Sequence, residues 1–333
     1  MQPILTILIC VSLAILFSFI SRKIKIPNVV ALIILGIIIG SPSVEKIIIG
    51  SNTSLILTLG DYGLICLMFL AGFKVSWKLM KKEGRDALIL AFFAAIIPFL
   101  LGTFVAITFG LDLHQALIVG VCMSITAEGT NARVLLDLKK LKSKLGSLIM
   151  DLGIIDDSLG LIIFTLIAYS FTHSFPKKEL LNTGLVILAF FIGIIARKIA
   201  KKETHNIMIL EDVLLYTIVP FLFIAIGLHF SFSSLLLNPI LVIVIILAAT
   251  IGKICGALVT KPFLNYSWKQ LYLLGWGINS RGAIELAIAF IAFKANLLPL
   301  NVYSAIIVMT LITTLTFPFI LTRMIKKEPN IMN

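Results

Sequence analysis

The chain has 333 residues, of which 59% are apolar and only 13% charged, whereas soluble domains carry roughly 45–50% and about 25%. Mean hydropathy is +1.10, which excludes a soluble enzyme and a disordered chain. The formal charge of +12 does not point to nucleic acid, because Lys and Arg form short clusters between long apolar runs instead of one basic face. The lipid bilayer is the expected environment.

A membrane-spanning helix takes about 20 mostly apolar residues. Eleven spans are expected, over 3–21, 27–42, 53–73, 87–110, 115–137, 145–171, 180–197, 208–230, 236–260, 270–293 and 301–322. The first run has no basic stretch before it and no clear small-x-small cleavage site after it, so it reads as a retained helix. Connectors are short, and a single membrane domain over 1–333 is expected. Cys10, Cys66, Cys122 and Cys255 each lie in an apolar run without a CxxC pair, which favours free thiols over a zinc site or disulfides.

The connectors after alternate spans, beginning with the first, carry 21 of the 28 basic residues, and the opposite side carries four: Lys46, Lys177, Lys178 and Lys294. By the positive-inside rule the N-terminus lies outside and the C-terminus in the cytoplasm, in the cell (plasma or inner) membrane.

Several spans hold charge near mid-depth, where a lone charge costs at least about 2.5–3.5 kcal/mol. Span 145–171 contains Asp156, Asp157 and Ser158, the aspartates about 17 Å from its start at 1.5 Å per residue. Span 115–137 contains Thr126, Glu128 and Asn131, span 236–260 contains Lys253, span 270–293 contains Arg281 and Glu285, and span 53–73 contains Asp61. Adjacent helical residues point about 100° apart, so Asp156 and Asp157 face different partners. Neighbouring carboxylates couple, and a nearby lysine opposes that coupling. Such a carboxylate can hold either a proton or a small cation. Structural ion pairing is the competing reading, but buried pairs are poor stabilisers. It suits Arg281, whose guanidinium keeps its proton. Glu128 fits either as a partner of Arg281 or Lys253 or as a direct ligand.

Spans 115–137 and 270–293 each place a small, polar, Gly-containing stretch mid-span and run in opposite directions. That is the pattern of discontinuous helices in an inverted repeat; close packing through small residues is the blander alternative. Pairing 87–171 with 236–322 sets Asp156 and Asp157 opposite Lys253.

These residues carry a resemblance. Ile26-Pro27 with Gly36 and Gly40-Ser-Pro42, Thr126 followed thirty residues on by Asp156-Asp157, Tyr216 to Gly227 around Pro220, and Gly252-Lys253 with Asn279-Ser-Arg281-Gly282-Ala-Ile-Glu285 together resemble sodium/proton antiporters. The family is the cation:proton antiporter superfamily, in its paired-aspartate branch. The resemblance implies an all-α polytopic fold with an inverted repeat and two crossed discontinuous helices. It implies a six-helix core, here 87–171 and 236–322, that slides against a panel forming a homodimer. It implies exchange of protons for Na⁺ (or Li⁺ or K⁺) by alternating access, electrogenic at two protons per sodium ion, with no cofactor. Asp157 becomes the principal cation and proton site and Thr126 a further metal ligand. Asp156 becomes the ion-free partner of Lys253, itself a candidate proton carrier. Asn131, Ser158, Glu128, Arg281 and Glu285 are secondary candidates. The chain departs from the family in having two complete spans between Asp157 and Lys253, where typical members hold about four, and in the extra acid Glu128.

Two other readings are weaker. An intramembrane aspartyl protease needs two carboxylates sharing a proton, but Leu59-Gly60-Asp61-Tyr62 lacks the Gly-x-Gly-Asp pattern and gives Lys253 no purpose. A cation channel uses rings of carbonyls or acids and needs no lysine–aspartate pair.

Overall fold

The computed structural model describes residues 2–74, 84–170, 177–199 and 205–332. The connectors holding Lys78, Lys81, Lys82, Lys201 and Lys202 lie outside the described residues. Every regular element among the described residues is a helix. In chain order they are α1 (Pro3–Lys23), α2 (Asn28–Ile39), α3 (Pro42–Ile48), α4 (Thr53–Lys74), α5 (Arg85–Thr108), α6 (Leu113–Ser124), α7 (Glu128–Asp137) and α8 (Lys144–Ser170). There follow α9 (Lys177–Ile199), α10 (His205–Thr217), α11 (Val219–Leu228), α12 (Phe232–Leu236), α13 (Pro239–Val259), α14 (Trp268–Gly277), α15 (Ala283–Lys294) and α16 (Leu300–Lys327). A 3₁₀ turn at Pro329–Met332 comes last.

Each expected span meets a helix or a helix pair. Among the described residues, six helical runs are long and apolar enough to cross a membrane unaided, and the bent pair α2–α3 makes a seventh if counted as one span. The span expected over 27–42 is the main departure. α2 stops at Ile39 and the chain bends by 93° into α3. Pro42 has no N–H to continue α2, and it forces Ser41 into the extended region, at ψ 137°. The span over 208–230 breaks at Ile218 for a related reason, because Pro220 cannot donate to the preceding turn.

The chain divides into two compact units, Met1–Ser76 with Leu181–Ser231, and Trp77–Leu180 with Phe232–Asn333. The first unit is built around α11, where Val219 to Gly227 are all buried. Glycines let neighbours approach it. A Cβ on Gly227 would lie 2.5 Å from the Ile33 carbonyl oxygen of α2, and one on Gly63 would lie 2.8 Å from the Ile218 oxygen. Lipid supplies no hydrophobic drive between helices, so close backbone contact through small residues does the holding.

In the second unit α5 packs against α6 and α13. A Cβ on Gly252 of α13 would lie 2.8 Å from Pro98 of α5, and one on Gly256 would lie 2.7 Å from the Phe93 oxygen. The end of this unit where α5, α8 and α14 begin is tied together by side chains. The Lys261 ammonium donates to the Tyr266 carbonyl at 2.7 Å, and Lys144 sits 4.8 Å over the Tyr266 ring. The C-terminal turn docks there. Lys140 donates to the Pro329 carbonyl at 3.0 Å, Lys269 pairs with Glu328 at 2.7 Å, and Met332 is fully buried among Leu271, Leu321 and Ile325.

Candidate functional site

Two of the expected spans are interrupted inside the second unit. The first breaks between α6 and α7, where Ile125 and Ala127 take extended backbone at ψ 149° and 96°. The second breaks between α14 and α15, across Ile278 to Gly282. The two breaks bind each other. Ala127 N–H donates to the Ser280 carbonyl at 2.9 Å, the Ser280 hydroxyl donates to the Ala127 carbonyl at 3.1 Å and to Asn131 Oδ1 at 2.5 Å, and the Thr126 hydroxyl donates to the Ile278 carbonyl at 3.0 Å. Backbone groups orphaned by the broken helices are thereby satisfied within protein, as the membrane interior demands.

Charge gathers at this crossing. Among the described residues the buried Asp, Glu, Lys and Arg side chains number four: Asp156, Lys253, Arg281 and Glu285, none more than 1% exposed. Lys253 Nζ of α13 lies 2.6 Å from Asp156 Oδ2 of α8 and donates at 2.5 Å to the Ser124 carbonyl at the end of α6. The Thr126 hydroxyl donates to the same Asp156 Oδ2 at 2.8 Å. Asp156 Oδ1 has no partner among the described residues. The Arg281 guanidinium donates to the Ile125 carbonyl and, at 3.2 Å, to that of Ala249. Two cations thus meet the carbonyl-rich end of α6, where the helix dipole is negative. The Glu285 carboxylate accepts from Gly282 N–H and caps α15, at a positive helix end.

The structure brings together Thr126, Asn131, Asp156, Lys253, Arg281 and Glu285 as the sequence pattern expects. Arg281 has no carboxylate partner among the described residues; it holds carbonyls. The backbones of Glu128, Asp157 and Ser158 lie in α7 and α8, but their side chains lie outside the described residues. Asp61 sits in α4 of the other unit and is half-buried.

Two residues of the crossing were not singled out by charge in the sequence. The Thr314 hydroxyl of α16 donates to the Arg281 carbonyl at 2.6 Å, and Asn279 is 1% exposed with Oδ1 unpartnered among the described residues. The available signal was weak: Thr310, Thr313 and Thr314 in an apolar span, and Asn279 beside Ser280.

Crossed discontinuous helices over a buried carboxylate–lysine pair define a secondary transporter for small ions. Comparison with known proteins narrows this class. The family model for the transmembrane sodium/hydrogen exchanger matches residues 8–202 and 179–327, and the chain belongs to that family, one of transporters and not of enzymes. It is 24% identical to the Na(+)/H(+) antiporter of Enterococcus hirae, over 93% of this chain and 94% of that protein. It is 26% identical to the Na(+)/H(+) antiporter NhaS4 of Synechocystis, over 93% of each. The structure of the sodium proton antiporter MjNhaP1 from Methanocaldococcus jannaschii superposes with a TM-score of 0.67 at 16% identity, covering 97% of this chain and 96% of that one, which shows the shared fold.

Proposed function

We propose that this multi-pass membrane protein exchanges Na⁺, or a related monovalent cation, for protons through the crossing, electrogenically and without a cofactor. The observation that carries the reading is the fully buried Lys253–Asp156 contact at 2.6 Å beside the Thr126 hydroxyl. Asp157 is the principal cation and proton site, with Thr126 adding oxygen. Asp156 holds Lys253 while no ion is bound. An arriving cation competes for the carboxylates, because a carboxylate with a cation at contact no longer favours its proton. The empty, lysine-paired site does not cross the membrane, and that restriction couples the two fluxes.

Residues 87–171 and 236–322 act as the transport core, a reading supported by the placement of every described residue of the site in one compact unit. The remaining helices serve as the panel and homodimer side. The basic-residue bias supports an outside N-terminus and a cytoplasmic C-terminus in the cell membrane. A pH-gradient assay in proteoliposomes with Na⁺, Li⁺ and K⁺, repeated under clamped potential, tests the proposal. Cation-driven proton movement by the wild type that vanishes in Asp157→Asn is the expected result. Undiminished exchange by that variant overturns the site assignment, and flux without proton counterflow overturns the antiport.

A further inference from the structure

The 3₁₀ turn Pro329–Met332 is tied to both broken spans, and the antiport scheme leaves it without a task. Its contacts fall on the outer ends of two half-helices, α7 and α14, whose inner ends meet at the crossing. On the α7 side the Lys140 ammonium donates to the Pro329 carbonyl at 3.0 Å. Lys140 moves with α7, because its own N–H donates to the Leu135 carbonyl at 2.8 Å and closes the last turn of that helix. On the α14 side Lys269 pairs with Glu328 at 2.7 Å, and the Gln270 side-chain amide donates to the Ile331 carbonyl at 3.4 Å. Lys269 and Gln270 lie in the first turn of α14, which the Ser267–Gln270 capping box fixes. Met332 is fully buried in the apolar cluster that also holds Leu135 of α7, Leu271 and Leu274 of α14 and Ile325 of α16.

An unbroken span carries stiffness from end to end through its i to i−4 hydrogen bonds. α7 and α14 lose that continuity at the breaks, so each is a short lever whose outer end needs its own tether. The inner ends carry the Ala127–Ser280 and Thr126–Ile278 bonds. A shift of either lever therefore moves the Thr126 hydroxyl beside Asp156. We propose that Pro329–Met332 is a strap that joins α7 to α14 and so positions Thr126 and Ser280 for ion binding. Its consequence for transport rests on the antiport reading above; the strap itself does not. Lys140, Lys269 and Met332 act only through the half-helices, as positioning residues.

Met332→Asp in the whole chain tests this. A carboxylate does not stay in an apolar cluster, and undocking the turn hydrates it without unfolding a span. Amide deuteration in detergent, read by mass spectrometry, should quicken together over 128–140 and 268–277 by about tenfold or more, with α5 and α13 little changed. The Na⁺ KM for exchange in proteoliposomes should rise severalfold while kcat changes less, and Met332→Leu should behave as wild type. Faster deuteration confined to 321–332 overturns the strap. A second variant guards against a Met332→Asp protein that does not fold. Lys269→Glu, a change on α14, should quicken deuteration of α7, and adding Glu328→Lys should restore it. A disturbance that does not reach α7, or one that the charge swap does not rescue, overturns the proposal. Faster deuteration of both half-helices with an unchanged Na⁺ KM overturns the positioning of the ion site. Wild-type protein that moves no protons in response to Na⁺ overturns the antiport reading, and the deuteration pattern still decides the strap.

Discussion

Replacing Lys253 by Met removes the ammonium from Asp156 and keeps most of the side-chain volume. Asp156 is then a buried carboxylate whose Oδ2 keeps one described donor, the Thr126 hydroxyl, and whose Oδ1 has none. Breaking a buried pair in this way costs about 3–5 kcal/mol, whereas replacing both partners with neutral groups is often near neutral. Lys253→Met should therefore destabilise the protein by about 3–5 kcal/mol, and Lys253→Met with Asp156→Asn should recover all but about 1 kcal/mol. Thiol-reactive dye unfolding in detergent suits the measurement, because Cys10 and Cys122 are buried and report opening of the first and second unit. In the wild type, Na⁺ at 100 times its Kd should add about 2.7 kcal/mol of protection, and neither variant should show it. A double variant no more stable than Lys253→Met would refute the claim that an unpaired Asp156 charge causes the loss.

Thr126→Val deletes a hydroxyl donor to a charged oxygen, worth about 1.5–3 kcal/mol; the Na⁺ KM for exchange should rise by tenfold or more, and an unchanged KM would remove Thr126 from the site. Burial pushes the Tyr266 phenol up, and the charge and hydrogen bond of Asp86 add to the shift. The folded state thus holds this proton more tightly than the unfolded chain, so the contribution is full below about pH 10 and is lost as pH rises through the higher folded value. Tyr266→Phe should cost about 1 kcal/mol at neutral pH and flatten the alkaline fall in thermal midpoint, and a variant that loses stability at high pH as steeply as wild type would contradict this. Met332→Ala should cost about 2 kcal/mol or more through lost burial, read as an earlier dye transition; no change would mean that the C-terminal turn is not part of the core. Gly227→Leu should prevent folding of the first unit, because its side chain would meet the α2 backbone at Ile33 and Ile37, and a well-folded, active variant would refute the close approach.

Hydropathy located the helices because lipid imposes one rule, about 20 apolar residues per crossing, and α1, α5 and α13 end within about three residues of expectation. The interruptions were legible for a different reason. Thr126 to Asn131 and Gly277 to Gly282 put small and polar residues where only a cavity-facing break tolerates them. Asp156 and Lys253 were legible as misplaced charges. The 93° bend after α2 was not anticipated, since Gly40-Ser-Pro42 sits near an expected span end where a turn would pass unnoticed. The partners of Arg281 were hidden more deeply. A guanidinium in a span suggests a carboxylate, yet Arg281 holds the carbonyls of Ile125 and Ala249. Carbonyl oxygens belong to every residue, so no side-chain pattern can announce which ones a broken helix leaves open. Thr314 was missed on the same ground, because its hydroxyl serves the Arg281 backbone and not its charge.

That distinction bears on how one site can remain stable and still switch. A buried cation satisfied by backbone carbonyls is committed, because carbonyls do not change charge. Arg281 accordingly has fixed partners in the break after α6 and on α13, and holds the crossing together. Among the described residues Lys253 contacts the Ser124 carbonyl and the Asp156 carboxylate. Of these two contacts, the carboxylate is the one an arriving ion can outcompete. Losing it leaves the ammonium still anchored at the end of α6, so the site can open electrically without coming apart mechanically. An arginine at position 253 would spread five donors over the same oxygens and tie them more firmly. Lys253→Arg should therefore preserve or raise thermal stability while lowering the exchange rate, whereas equal loss of both would show that position 253 serves folding alone.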